Sequence, residues 1–512
     1  MTPLRSFLDR AALVAGRDVR LGTLAARLAS VHGEARMVEE APGVQGGGPP
    51  SRGRTLTFTQ AAALVDAWAG AVHRQISPGD RVVLVVPNGY DLLLLCLAVS
   101  RAGGIPVPVN NRMRDDEIDH VVGDSGATLV VRSGSELDGA APLGRAVEGA
   151  EDDVAAIFYT SGTTGRPKGA RLTHRGLLGS VGAAALYPGR VRRDEAVLGL
   201  PVAHIMGFSV LLGMASAGIP VYLVPKFSAG EVLDAIESRR ATIFIGVPAM
   251  YRMLEEAGAA GRDLRSVRVW GSGADVMPRD LARRFQKMGA SATLPVVGAS
   301  VGEAAFVEGY GLVESGGGAL VRLSPPGFSL PFGDAMGVSL PGYRTRVVGE
   351  DGLDVPPGQV GELWLSGPGV LQGYHGDASA TAEAVTSDGW LRTGDLARRG
   401  PLGSIVFAGR RKDVVKVGGY SVFAAEVERA LEEHPDVLEA AVVALPDDRL
   451  GQVVGAAVRL REGSRETPDS LAAWGRETMA SYKAPRQIVV VDDLPRTGTQ
   501  KVQKRELLQL FG

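Results

Sequence analysis

Apolar-rich runs at 81–86, 128–131, 154–158, 242–247 and 267–270 punctuate the larger, N-terminal part of the chain, while apolar residues recur at helical spacing over 61–73 and 281–288. A run of strand length without polar alternation is what a strand buried on both faces requires. Its alternation with amphipathic helices predicts parallel sheets covered by helices. The Gly- and Pro-rich segment 39–54 reads as a surface loop, and there is no internal repeat.

From Ile205 to Val224 there is no charged residue, which meets the length of a membrane span. Gly213, Gly218 and Pro220 interrupt it, so the pattern predicts a helix through Ala217, a turn at 218–220 and a strand at 221–224. After Gly409 a charged cluster, 410–413, precedes a helix at 424–433, strands at 438–445, 453–460 and 488–491, and a helix at 469–479. That is enough for a separate α+β domain of about 100 residues. The expected division is therefore 1–409 and 410–512.

Composition narrows the classes. The chain has 512 residues, 45% hydrophobic, more than one domain usually needs. A net charge of −2 provides no broad field for nucleic acid or an anionic membrane, so bound anions must be held locally. One cysteine, Cys96, sits in an apolar run, cannot form an internal disulfide and reads as a packing thiol. With an N-terminus too charged for a signal peptide, a cytoplasmic protein without integral membrane contact is expected, either monomer or homodimer. The seven histidines offer no ligand-spaced pair, which disfavours zinc.

Residues 159–169 read YTSGTTGRPKG, directly after a strand candidate. Hydroxyls at Thr160, Ser161, Thr163 and Thr164, glycines at 162 and 165, and Lys168 on a strand-ending turn suit a polyphosphate: backbone amides approach, hydroxyls donate, an ammonium offsets charge. It is not a P-loop, because Lys168 lies between Pro167 and Gly169. GSGADV at 271–276 lacks the third glycine of a dinucleotide fingerprint. Only eight of the 55 basic residues are lysines, and five of them (168, 412, 416, 501, 504) fall in this loop or in the segments 409–428 and 495–507. A compact ammonium used against that bias suggests a geometric reason.

YTSGTTGRPKG resembles the signature loop of the adenylate-forming superfamily: acyl-CoA synthetases, peptide-synthetase adenylation domains and luciferases. Further segments are similar, in the family's order: PVAHIMGF (201–208), VPAMYRML (247–254), GSGAD (271–275), YGLVE (310–314), GELWLSGPGVLQGY (361–374), GWLRTGDLA (389–397), GRRKDVVKVGGYSVFAAEVE (409–428) and PRTGTQKVQKREL (495–507). The resemblance implies an α/β fold: a large N-terminal domain of stacked α/β sheets with a β-barrel-like portion, and a small mobile α+β C-terminal lid. It also implies the substrates ATP with Mg²⁺, a carboxylic acid and coenzyme A, joined through an acyl-AMP.

Residue by residue, the resemblance assigns the phosphates to Thr160, Ser161, Gly162, Thr163, Thr164, Gly165 and Lys168. It assigns adenine to Tyr310, Gly311, Gly273 and Ala274, and Mg²⁺ to Glu314 with Thr160. Asp395 and Arg410 fall to the ribose, and Lys501 is the lysine that stabilises charge as the carboxylate attacks phosphorus. Lys412 matches the lid's hinge, and Lys416, Gly418 and Gly419 match the coenzyme A tunnel. His204, Phe208, Val247, Trp270, Gly271 and Gly309 would wall the acid, with His204 near its carboxylate.

Two departures stand out: Val313 where the family has Thr, and Gln500 where it has Gly. The stretch 294–306 is longer than the family needs and is expected to reshape the acyl pocket. Met206, Gly207 and Gly298 complete a lining without an arginine for a second carboxylate, so a medium- or long-chain fatty acid is favoured. The alternatives are an aryl acid:CoA ligase, an enzyme loading a carrier protein, a luciferase-like oxygenase and a non-catalytic nucleotide-binding relative.

Overall fold

The computed structural model describes residues 11, 13, 19–42, 54–160, 167–179, 181–187, 189–293, 300–327, 335–496 and 502–511. Two compact units emerge: one of residues 1–331, 337–344 and 365–391, the other of 332–336, 345–364 and 392–512. Strands at 345–364 and 392–409 thus join the C-terminal residues in one unit.

In the first unit the expected parallel strands lie side by side. Ala305–Leu312, Val269–Gly273, Ile243–Gly246, Ala196–Leu198, Val221–Leu223 and Arg36–Glu40 are successive parallel neighbours. Gly317–Ser324 and Thr55–Thr57 flank them antiparallel. Their shared core contains Phe244, Tyr251, Trp270, Phe285 and Phe306, all fully buried. Arg81–Leu84 forms a second parallel sheet with Ile105–Pro108 and Leu129–Val131. Beside that sheet the helix Tyr90–Arg101 is buried on every side, which explains its unbroken apolar run and buries Cys96.

The charge-free stretch resolves as its glycines predict. Helix Ile205–Ala217 stops at Gly218, whose φ of 67° is left-handed, and the strand Val221–Leu223 follows. Among the described residues no helix is long and apolar enough to cross a membrane.

Within the longer stretch, Ser300–Val301 pairs with Ala292–Thr293 as a short hairpin ahead of the strand Ala305–Leu312. Its tip, 294–299 with Gly298, lies outside the described residues.

In the second unit, Arg344–Val348, Gly361–Ser366, Leu391–Arg399 and Ile405–Arg410 lie side by side. Beyond them Val414–Val417, Tyr420–Phe423, Gly451–Leu460, Val437–Asp447 and Gln487–Val490 make a five-stranded sheet. Helices Ala424–Glu432 and Pro468–Thr478 cover it through Val427, Leu431 and Leu471.

Candidate active site

Three antiparallel strands carry the hydroxyl-rich motif. Val154–Thr160 turns back as Lys168–Thr173, with Thr160 opposite Lys168, and Gly373–Tyr374 extends the sheet against Ala170 and Arg171. The Thr160 hydroxyl donates to the Lys168 carbonyl at 3.4 Å, closing the mouth of the loop. Ser161, Gly162, Thr163, Thr164, Gly165 and Lys501 lie outside the described residues.

This pairing brings two residues to the site that sequence reasoning did not assign. The Lys168 ammonium lies 3.3 Å from Asp377 Oδ2 and 5.6 Å from the centroid of the Tyr374 ring. Asp377 also accepts from the Ala380 amide at 2.8 Å, capping helix Ala378–Ala384; that amide first, then Lys168, holds its carboxyl below its ordinary range. The Tyr374 hydroxyl donates to Glu314 Oε1 at 2.9 Å. Burial and the Glu314 carboxylate raise the phenol's pKa, so it remains a donor. Tyr374 ends the family-like segment 361–374, but only the folded chain shows that it meets Glu314.

Glu314 lies in the single turn Val313–Ser315 that ends the strand carrying Tyr310. Tyr310 is half-buried. Neighbouring Gly311 has a steric reason: a Cβ there would lie 1.7 Å from the Gly317 carbonyl oxygen. Gly273 ends its strand opposite Gly309, and Ala274 has a φ of 67°, a conformation that alanine rarely adopts. Such strain concentrates at ligand sites.

His204 caps helix Ile205–Ala217, its Nδ1 accepting from the Met206 amide at 3.3 Å. A neutral imidazole held this way carries its proton on Nε2, a donor suited to a carboxylate. Other expected acyl-wall residues are packed elsewhere. Trp270 is fully buried among Phe244, Tyr251 and Phe285, and Phe208 meets Phe158 edge-on at 5.3 Å; both are core residues, because their large rings fill the layer between sheet and helices. The Gly271 carbonyl accepts from Tyr251 at 2.7 Å. In their place Met206, Val210, Phe227, Ile245 and Ala274 form a half-buried apolar group against Leu200, Val247, Ala249 and Met250. Met206 and Val210 are one turn apart, a spacing that marks one helix face. Met206 Cε would lie 3.3 Å from a Cβ on Gly273, whereas a Cβ on Gly309 meets nothing within 4 Å.

The second unit holds the remaining residues. Asp395 is 2% exposed and its Oδ1 lies 3.1 Å from Arg410 Nε, the two being cross-strand partners. Lys412 sits in the turn Arg411–Asp413 between two strands, and burial lowers its pKa against the pull of Asp413. Gly418 and Gly419, with φ of 53° and 87°, form the two-residue loop of the hairpin Val414–Val417 and Tyr420–Phe423. Positive φ at both central residues is the requirement of a type I′ turn. The backbone therefore demands these glycines independently of any tunnel.

No group of three or more His, Cys, Asp or Glu that could cage a metal occurs among the described residues. One carboxylate held by a phenol, beside an ammonium, fits an ion that arrives with phosphate oxygens rather than one the protein ligates alone.

Residues 30–375 match the family described as AMP-binding enzyme, and residues 426–501 match its C-terminal domain. The chain belongs to this family, the adenylate-forming superfamily. It is 35% identical over 502 residues to a feruloyl-CoA synthase from Amycolatopsis sp, covering 93% of this chain and 97% of that one. It is 32% identical over 498 residues to the fatty acid–[acyl-carrier-protein] ligase ScoC of Streptomyces coeruleorubidus, covering 90% and 92%. Among solved structures, the Bacillus subtilis o-succinylbenzoate coenzyme A synthetase MenE in complex with ATP and magnesium ion is similar, with a TM-score of 0.79, 25% identity and coverage of 95% and 99%.

Proposed function

We propose that this chain is an AMP-forming acid:CoA ligase acting on a monocarboxylic acid with an apolar tail, a medium- or long-chain fatty acid. One oxygen of the acid's carboxylate attacks the α-phosphorus of ATP, the bond to the β-phosphate oxygen breaks, and pyrophosphate leaves. The thiol of coenzyme A, giving up its proton, then attacks the acyl carbon; the bond to AMP breaks and a thioester forms. Lys168 and the hydroxyl loop hold the phosphates, Lys501 orients the attack, and Glu314 would hold a Mg²⁺ that would offset phosphate charge. His204 Nε2–H faces the acid's carboxylate. Lys412 is the pivot for a lid of 410–512 that presents Lys501 for the first half-reaction and the Gly418–Gly419 loop for the second.

The observation that carries the acid is the half-buried group Met206, Val210, Phe227, Ile245 and Ala274, all apolar, next to the open face of Gly309. Each methylene seated there adds about 0.8 kcal/mol of binding. A second reading, an aryl acid, is supported by the likeness to a feruloyl-CoA synthase. Pyrophosphate release and thioester formation with acetate, octanoate, laurate, ferulate and malonate test both. Rates that climb with chain length support the fatty acid, preference for ferulate supports the aryl reading, and equal rates with malonate sink both. The half-reactions separate in single turnovers: Lys501→Ala should lose acyl-AMP formation by about 10²-fold or more while still converting supplied acyl-AMP to thioester.

A further inference from the structure

Asn88 is half-buried in the connection between the strand Arg81–Leu84 and the helix Tyr90–Arg101. Its side chain spans two loops far along the chain. Oδ1 accepts from the Val202 amide at 2.7 Å, and Nδ2 donates to the Pro225 carbonyl at 2.8 Å, with the Leu200 carbonyl at 3.5 Å. Those loops follow the neighbouring parallel strands Ala196–Leu198 and Val221–Leu223. A primary amide supplies an acceptor for one and a donor for the other, and the two carbonyls fix which end of it faces Val202.

Val202 is fully buried and is the second residue of a turn that the His204 amide closes on the Pro201 carbonyl at 3.1 Å. That turn has no slack. A Cβ on Gly207 would lie 2.2 Å from the Pro201 carbonyl oxygen, so the first turn of helix Ile205–Ala217 sits directly on it. The hold of Asn88 on the Val202 amide therefore sets where the turn lies, and with it the imidazole of His204. Without that side chain a buried amide lacks its acceptor, and tilting of the turn is its way to another.

We propose that Asn88 is a positioning residue for the acid: through Val202 it aims the His204 Nε2–H at the carboxylate, without touching the acid itself. The proposal rests on the reading of His204 as the carboxylate's donor. Pyrophosphate release by the whole chain, over titrations of acid and of MgATP, tests it. The acid is octanoate, or ferulate should the parent turn that over faster.

Asn88→Ala should lower kcat/KM for the acid about tenfold or more, a displaced donor costing orientation, while the KM for MgATP stays unchanged. Asn88→Asp keeps the acceptor for Val202 and loses only the donor to Pro225, so it should stay within about threefold of the parent. In a His204→Ala background, Asn88→Ala should cost no more than about a further twofold, because the two changes remove one interaction. A merely structural asparagine would multiply its factor onto that of His204→Ala and would move both KM values. Multiplying factors, a parent-like Asn88→Ala, or an Asn88→Asp as impaired as Asn88→Ala would each overturn the proposal. Should Asn88→Ala not fold, Asn88→Ser, whose hydroxyl is too short to reach Val202, takes its place in the same comparisons. An undiminished kcat/KM in His204→Ala overturns the reading of His204 itself, whereas an impaired His204→Ala beside a parent-like Asn88→Ala overturns only the role of Asn88.

Discussion

At the residue scale, the Glu314 carboxylate depends on a partner far away in sequence. Tyr374 donates to it at 2.9 Å, and a hydrogen bond to a charged group contributes about 1.5 to 3 kcal/mol. Tyr374→Phe should therefore lower kcat/KM for MgATP by about tenfold or more with little loss of thermal stability, as read by pyrophosphate release over a MgATP titration. An unchanged value would mean that the phenol does not position Glu314. The same residues show what the sequence left open. Glu314 and Lys168 were legible because motif order marked them, but Asp377 and Tyr374 were not, because contacts spanning 209 positions (Lys168 to Asp377) and 60 positions (Glu314 to Tyr374) leave no local pattern. Trp270 and Phe208 were misplaced for the converse reason: an apolar residue near a site motif reads alike whether it lines a pocket or fills the core.

At the element scale, Asp377 has two jobs that chemistry can separate. Its carboxylate caps helix Ala378–Ala384 and pairs with Lys168. Asp377→Asn keeps a capping oxygen and removes the charge, so stability should hold while the affinity for ATP changes, Lys168 having lost a competing anion. Asp377→Ala should add a loss of about 1 kcal/mol on denaturant unfolding, the usual cost of a missing N-cap. If the affinity for ATP is unchanged in both variants, the pairing with Lys168 has no role in nucleotide binding. The glycine hairpin permits a similar separation. Asn tolerates left-handed φ and a β-branched residue does not, so Gly419→Asn should fold normally and Gly419→Val should destabilise the second unit. A thioester defect seen only in Gly419→Val would then reflect the turn rather than a blocked tunnel, and comparing both variants by thermal melting and by conversion of supplied acyl-AMP tells the two apart.

At the scale of the whole molecule, one buried histidine ties stability to pH. His174 Nδ1 accepts from the Leu21 amide at 3.1 Å, joining the start of helix Leu21–His32 to the end of the motif-bearing hairpin. Burial, then the nearby Arg20 cation, lowers its pKa from 6.5 to about 4 against the opposing pull of Asp153. Unfolded chains take up that proton first, so this histidine's contribution is complete above pH ~6.5 and is lost as pH falls toward 4, by about 3 kcal/mol in all. His174→Asn, which keeps an acceptor for Leu21 but cannot titrate, should flatten the fall in melting temperature between pH 6.5 and 4. A curve as steep as the parent's would place the acid sensitivity elsewhere.

Local sequence determined the elements of this protein. Apolar runs became strands, parallel at 81–84, 129–131, 243–246 and 269–273 but antiparallel at 154–160, Gly218 stopped the one helix that could have passed for a membrane span, and motif order identified the family. These are short-range effects, set by side-chain period and by backbone conformation within a few residues. Tertiary structure decided which groups meet. The pairing of Gly373–Tyr374 with Ala170 and Arg171 set Asp377 near Lys168, a side-chain contact outside any strand pairing set Tyr374 beside Glu314, and sheet packing put Trp270 in the core and left Met206 and Val210 partly open. Such contacts follow from the order and direction in which strands assemble, which no local period encodes, because a side chain's surroundings are set by whatever packs against it from elsewhere in the chain.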